Sequence, residues 1–130
     1  MTWLAPLILI LAQALPAGAP ANVDPKVAAE VPKITEKLRQ WRGSWAAVDG
    51  KLACRTVKTS GDEEIDKIGC FSTLTCVKPA YPELKAIADG KGTEADKQTK
   101  IRAKLATLQP CLSQHRGHGI ATLALKRGGG

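Results

Sequence analysis

Aromatic side chains are scarce in this sequence of 130 residues, which contains three Trp, one Tyr and one Phe. Proteins that bind single-stranded nucleic acid without sequence preference stack the bases on aromatic side chains that are interspersed with basic ones. That pattern is missing here, although the formal net charge is +7. We therefore do not expect nucleic acid to be the partner.

Charged side chains are absent from residues 1–21. An apolar run from Trp3 to Leu15 is followed by small residues at Ala19 and Ala21, the pattern that a signal peptidase recognises. The run is shorter than the roughly 20 apolar residues that span a bilayer. We predict that residues 1–21 are a cleaved signal peptide, that the rest is secreted or periplasmic, and that it contains no transmembrane segment.

Catalytic signatures are also missing. The chain contains no G-x-S-x-G motif and no C-x-x-C-H motif, and Ser113 beside His115 has no acidic residue nearby to orient the histidine. The acidic residues between 62 and 66 are typical of the first turn of a helix, where they complement the helix dipole. The sequence therefore predicts no enzymatic activity and no cofactor.

Helical periodicity dominates what is present. The first predicted helix begins at Asp24, a suitable N-cap, and at Pro25, which favours the first helical turn. Pro32 predicts a kink or a main helix that starts near it, and Asp49 with Gly50 predicts the end. Apolar residues recur in steps of four and three and form one stripe: Val27, Val31, Ile34, Leu38, Trp41, Trp45 and Val48.

A second, buried helix is predicted from near Gly61, because Ser60 and Glu63 have the spacing of a capping box. Its middle, residues 70–77, also suits a strand, and the sequence leaves that alternative open. Pro79 is expected to end the element in either case.

Two further helices are predicted after this point. Residues 82–88 suit a short helix closed by Gly90, and Thr93 marks the start of a third main helix that Pro110 kinks or interrupts. The stretch 117–125 is ambiguous between helix and extended chain.

The predicted fold class is therefore all-α, a small bundle of three main helices and one short helix. The chain after the signal peptide is long enough for one compact domain with its own core. We expect residues 22–125 to form this single domain and residues 126–130 to be a flexible basic, glycine-rich tail.

Four cysteines supply the expected covalent framework. An even number in an oxidising compartment predicts two disulfides. If residues 70–77 are helical, Cys70 and Cys76 are separated by a rise of about 9 Å and cannot be bonded to each other. Cys54 then pairs with Cys70 while Cys76 pairs with Cys111, or Cys54 pairs with Cys76 while Cys70 pairs with Cys111.

Cys111, His115 and His118 are candidates for a metal or thiol site, because their spacing of four and three would place them on one face of a helix. Pro110 and two glycines make such a helix doubtful, and an oxidised Cys111 can be neither a ligand nor a nucleophile. No metal is therefore predicted, and His115 and His118 are kept only as weak candidates.

Two groups of residues are candidates for binding. Lys97, Lys100 and Lys104 lie at helical spacing and, with Arg116, could contact an anionic group, although such a stripe is usually a solvated helix face. Trp41 and Trp45 are expected in the core, with a ligand pocket as the alternative.

These observations predict a small, exported, basic helical protein that is a non-enzymatic binding or envelope-associated protein. Its partner is unknown; an anionic envelope component or another exported protein would fit the charge. The alternatives are a metal-binding or thiol-dependent protein that uses Cys111, His115 and His118, and a cationic membrane-active protein.

Overall fold

The computed structural model describes residues 24–129, of which 73% lie in four helices. The predicted signal peptide, residues 1–21, lies outside the described residues. The elements are α1 (Pro25–Gln40), β1 (Arg42–Val48), β2 (Lys51–Lys58), α2 (Glu63–Asp89), α3 (Glu94–Ala106) and α4 (Gln109–Gly129). The described chain is therefore mostly helical, as predicted, but it also contains a β-hairpin that was not.

Helix α1 begins where the sequence predicts. The Asp24 carboxylate accepts a hydrogen bond of 2.8 Å from the backbone N–H of Lys26, and Pro25 occupies the first helical position. Pro32 lies inside the helix. The buried stripe of α1 consists of Val27, Ile34 and Leu38.

The predicted continuation of this helix to Val48 is wrong. Helix α1 ends at Gln40, and β1 and β2 form an antiparallel hairpin across a two-residue turn at Asp49 and Gly50. Both turn residues have positive φ, 52° and 78°, as the tight hairpin turn favoured by an Asp-Gly pair requires. The local turn chemistry outweighs the helical spacing of Trp41, Trp45 and Val48.

Helix α2 is a single helix of 27 residues that runs through both Pro79 and Pro82. The expected end at Pro79 and the separate short helix at 82–88 are therefore corrected, and residues 70–77 are helix rather than strand. Each proline removes one backbone hydrogen bond, but Val77 and Leu84 are buried on the same helix and their packing offsets that loss.

The predicted third main helix is divided into two. Helix α3 starts after Thr93, whose hydroxyl accepts a hydrogen bond of 3.1 Å from the backbone N–H of Asp96. It ends at Ala106, and Pro110 then lies in the first turn of α4, where its missing N–H costs no helical hydrogen bond. Helix α4 continues to Gly129, so residues 117–125 are helical and helix extends into the expected tail.

Helix α2 is central, with one apolar cluster at each half. Its first half packs against α1 and α4, and its second half packs against α3 and the hairpin. The first cluster contains Val27, Ile34, Leu38, Trp41, Ile65, Ile120, Leu123 and Ala124. The second contains Val77, Ala80 and Leu84, with Trp45, Leu52, Ile101, Leu105 and Leu108 against them.

Two disulfides tie neighbouring elements to α2, which confirms the expected number of bridges. Cys54 of β2 is bonded to Cys70, and Cys76 is bonded to Cys111 of α4. This is one of the two pairings that the sequence left open. Within the described residues no cysteine is free.

No helix between residues 24 and 129 combines the length and the apolar character that crossing a membrane would need.

Candidate functional site

Trp41 is the structural centre of the region where α1 meets the hairpin. Its side chain is only 5% exposed, and the indole Nε1–H donates a hydrogen bond of 2.9 Å to Oγ1 of Thr56. A Cβ atom at Gly43 would lie 2.3 Å from the indole ring, and one at Gly69 would lie 2.5 Å from it. Both positions must therefore lack a side chain for Trp41 to fit.

A cleft of about 370 Å³ opens beside this tryptophan. It lies at the junction of the end of α1, the start of β1, and helices α2 and α4. Three arginines line it, and no carboxylate does. The lining residues are Leu38, Arg39, Trp41, Arg42, Gly43, Thr73 and Arg116.

Arg42 is held in place by the end of the first helix. Its Nη1 donates hydrogen bonds to the backbone carbonyls of Arg39, at 2.7 Å, and of Trp41, at 2.8 Å. A guanidinium at this position also complements the partial negative charge at the helix C-terminus. Arg39 itself is partly neutralised, because its Nη1 lies 3.5 Å from a carboxylate oxygen of Glu36.

Arg116 is the least satisfied charged group of the cleft. Its Nε is buried and has no hydrogen-bond partner among residues 24–129. Burial, together with the positive charge of Arg42, lowers the pKa of the Arg116 guanidinium. Within the same range, neither Arg42 nor Arg116 forms an ion pair. Two guanidinium groups thus share one cleft without a counterion from the described chain.

Such an arrangement is suited to an oxyanion. A guanidinium presents N–H groups in a planar fork that matches two oxygens of a carboxylate, phosphate or sulfate. An anion between Arg42 and Arg116 would relieve the repulsion of the two positive charges and give Arg116 Nε–H an acceptor.

The structure separates Arg116 from the three lysines that were predicted to contact anions with it. Lys104 forms an ion pair of 2.7 Å with Glu83. Lys97 and Lys100 line another cavity, of about 290 Å³, to which Glu83 also contributes. Arg116 lies in the cleft with Arg39 and Arg42 instead, so the predicted set does not form one patch.

The two tryptophans do not line a common pocket. Trp41 belongs to the first apolar cluster and Trp45 to the second, where its ring meets Tyr81 edge to face at a centroid distance of 6.4 Å. The exposed part of Trp45 faces a separate cavity formed by the hairpin. The expectation that Trp41 lies in the core holds, and Trp41 also forms a wall of the arginine cleft.

The cysteine and histidine candidates are partly brought together. Helix α4 is continuous from Cys111 through His118, and ligand atoms of Cys76, Cys111 and His115 all lie within 4.8 Å of one another. His118 is exposed and does not belong to this group. Because Cys76 and Cys111 are bonded to each other, neither is available as a ligand or nucleophile while the bridge is closed.

Sequence reasoning did not single out Arg39 and Arg42, which line the cleft together with Arg116. The sequence Arg39-Gln-Trp-Arg42-Gly43 has the spacing of a helix, but in the structure α1 ends at Gln40 and Arg42 begins β1. A glycine directly after Trp41 and Arg42 was the signal that the helix could end there.

The chain matches no family model, no curated protein and no solved structure.

Proposed function

We propose that this chain is a non-enzymatic binding protein that is exported and holds an anionic group of its partner between Arg42 and Arg116. One observation carries the proposal: the buried Nε of Arg116 has no acceptor within the described residues, and the cleft contains a second guanidinium but no carboxylate.

The energetics favour an external anion. Arg116 is half-buried, and its buried Nε–H without an acceptor costs about 1–3 kcal/mol, a cost that falls when a bound anion accepts that hydrogen bond. A cleft of about 370 Å³ is near the lower end of the volumes of small-molecule sites. It can hold one oxyanionic group rather than an extended polymer, so the group would protrude from a larger partner.

The lining supports binding rather than catalysis. It contains no cysteine, histidine or carboxylate that could act as nucleophile or general base. Its one hydroxyl, on Thr73, donates to the backbone carbonyl of Gly69 at 2.8 Å and so belongs to helix α2.

Export is supported by the covalent framework. Two disulfides in a small domain are typical of proteins outside the cytosol, and they agree with the predicted signal peptide at residues 1–21. In the cell envelope or beyond it, phosphate and carboxylate groups are common on polymers and lipid headgroups, and we favour such an anionic envelope component as the partner.

Thermal unfolding with inorganic phosphate as the probe tests the proposal at constant ionic strength, with chloride as the reference anion. At a phosphate concentration about ten times Kd, the Tm of the wild-type protein should rise by about 5 °C relative to chloride. The double variant Arg42→Gln/Arg116→Gln should lose this rise. The single variant Arg42→Gln changes an exposed side chain and should retain the fold. It should lose most of the rise in Tm with phosphate.

The double variant Lys97→Gln/Lys100→Gln is the matched control, because it also removes two positive charges. It should respond to phosphate like the wild type. Equal losses in both double variants would show nonspecific attraction and overturn the proposal. Vesicles of anionic lipid serve as a second probe. If they bind the arginine double variant as well as the wild type but do not bind the lysine double variant, the result would support a membrane-active protein that binds lipid with α3.

A further inference from the structure

Three side chains of types that can bind a metal lie together between α2 and α4, outside the lining of the arginine cleft, and two of them form the Cys76–Cys111 disulfide. Ligand atoms of Cys76, Cys111 and His115 lie within 4.8 Å of one another. Cys76 is only 2% exposed, and α4 carries Cys111 and His115 one helical turn apart on the same face. No other group of three such residues is found within residues 24–129.

We propose that this cluster becomes a Zn²⁺ site when the Cys76–Cys111 disulfide is reduced. Two thiolates and one imidazole are ligands that zinc prefers, and three protein ligands leave the fourth tetrahedral position for water or a partner's ligand. In such a site the ligand atoms are about 3.5–3.8 Å apart, as zinc–sulfur and zinc–nitrogen bond lengths require. In the present structure the two sulfurs are bonded to each other, so reduction must let them move apart to reach this spacing, while the His115 ligand atom already lies within 4.8 Å of both.

The chemistry balances with a dithiol as the reductant. The dithiol transfers two electrons and two protons to the Cys76–Cys111 bond and is itself oxidised to a disulfide. Zn²⁺ then displaces the two thiol protons, which are released to solvent, and binds both sulfurs and the neutral imidazole of His115. Bridge and metal therefore exclude each other.

The other disulfide does not offer the same site. Cys54 and Cys70 join β2 to α2, but they have no third histidine, cysteine or carboxylate within reach in the described chain. Reduction of that bridge would expose two thiols without a third ligand. The position of His115 thus distinguishes the two pairs of cysteines.

The metal-bound form would exist before the Cys76–Cys111 disulfide has formed. An exported protein begins with reduced cysteines, and Zn²⁺ at Cys76, Cys111 and His115 would delay closure of that bridge while leaving Cys54 and Cys70 free to oxidise. The zinc site does not rest on the proposed anion binding, because no residue of the arginine cleft is a ligand.

Titration of the reduced full-length mature chain with Co²⁺, in the absence of oxygen, tests the proposal. One equivalent should produce the ultraviolet absorption of cobalt bonded to thiolate and the visible bands of a tetrahedral ion, and Zn²⁺ should displace it. Release of two protons per zinc should accompany binding. The variant Cys54→Ser/Cys70→Ser should behave in the same way.

Histidine variants provide the specific comparison. His115→Ala removes a direct ligand and should weaken zinc binding by about 100-fold or more, since even the loss of groups that only orient the ligands costs 10- to 100-fold. His118→Ala, three residues further along the same helix, should leave the affinity unchanged.

If reduction unfolds the chain, circular dichroism can follow whether Zn²⁺ binding restores the helices. One equivalent of Zn²⁺ should then restore helicity to the wild type and to His118→Ala, but not to His115→Ala. Equal affinities of the two histidine variants would overturn the proposal. The proposal would also be overturned if cobalt–thiolate absorption persisted in the variant Cys76→Ser/Cys111→Ser but was lost in Cys54→Ser/Cys70→Ser, because the metal would then bind the other pair of cysteines.

Discussion

Glycine at position 69 has an unusual effect for a residue inside a helix. Glycine normally weakens a helix by about 1 kcal/mol relative to alanine. Here it creates the space in which the indole of Trp41 lies, because a Cβ atom would come within 2.5 Å of the ring. The same indole forms a wall of the arginine cleft, so this glycine supports both the core and the candidate site.

We therefore expect Gly69→Ala to destabilise the protein by about 2 kcal/mol, since overpacking outweighs the gain in helix propensity. The Tm should fall by about 10 °C. Gly117→Ala is the matched control, because a Cβ atom there meets nothing within 4 Å and should stabilise α4 by up to about 1 kcal/mol. Similar Tm changes in the two variants would refute the proposed contact between Trp41 and α2.

Individual site residues were only partly predictable. The sequence alone could predict Arg116 as an anion contact, but it could not predict that Arg39 and Arg42 lie beside it. Their position depends on where α1 stops, and a stripe of apolar residues at helical spacing continues past that point to Val48. A pattern of spacing alone does not show that a tryptophan turns inward between two glycines.

Among the elements, α4 departs furthest from its sequence pattern. Its glycines predicted an ambiguous stretch and a flexible tail, because glycine has low helix propensity. In the structure they allow close packing: a Cβ atom at Gly119 would lie 2.8 Å from Ile68, and one at Gly128 would lie 2.7 Å from the backbone of Val27. Contacts with α1 and α2 thus override the local preference.

The hairpin and α2 show two different reasons why a local sequence signal can mislead. Asp49-Gly50 is a strong signal for a two-residue hairpin turn, but it also resembles a helix end. The prolines of α2 are local signals for interruption that burial overrides. The N-cap of α1 and the start of α3 could be predicted because capping depends on neighbouring residues alone. The capping box predicted at Ser60 and Glu63 is wrong, because α2 begins at Glu63 and its N-cap is Asp62. The Asp62 carboxylate accepts hydrogen bonds from the backbone N–H groups of Glu64 and Ile65.

The end of α4 is attached to the start of α2 by ion pairs. Arg127 Nη2 lies 2.8 Å from a carboxylate oxygen of Asp62, and Lys126 Nζ lies 2.8 Å from one of Glu64. The hydrogen bond from Arg127 lowers the pKa of Asp62, and the hydrogen bond from Lys126 lowers the pKa of Glu64. The attachment therefore requires both carboxylates to be ionised.

This attachment should weaken in acid. Because the folded-state pKa values of both carboxyls are lower than the unfolded ones, the stabilisation is fully present above the unfolded values, which are about 4, and is lost as the pH falls through the lower folded values. Urea unfolding at a series of pH values should show that Arg127→Gln is less stable than the wild type at pH 7. The difference should vanish near pH 2.

Arg102→Gln is the control for that series, since Arg102 is exposed and forms no ion pair within the described chain. It should match the wild type at each pH. A stability difference for Arg127→Gln that persists unchanged to pH 2 would show that the carboxylates are not responsible.

At the scale of the whole molecule, the Cys76–Cys111 disulfide and the arginine cleft are connected. Thr73 of α2 lies three residues before Cys76, and Arg116 of α4 lies five residues after Cys111. The bridge between these cysteines holds the two backbones at a Cα–Cα distance of 5.9 Å. It thereby fixes the separation of two cleft walls, while α1 and the hairpin supply the others.

The mostly helical class and the two disulfides could be predicted from sequence, because periodicity and cysteine number depend little on tertiary contacts. The cleft could not, because it forms where four elements meet. Each of those elements contributes only one to a few residues to it. In this structure the four cysteines form a covalent framework, because all of them are in disulfides.

Nuclear magnetic resonance of the arginine side chains tests the central claim most directly. During titration with inorganic phosphate at constant ionic strength, the Nε–H resonance of Arg116 should shift and saturate, because the anion supplies its missing acceptor. The resonances of exposed Arg55 and Arg102 should change little. An unchanged Arg116 resonance, or equal and unsaturated shifts at all three arginines, would contradict an anion site in this cleft.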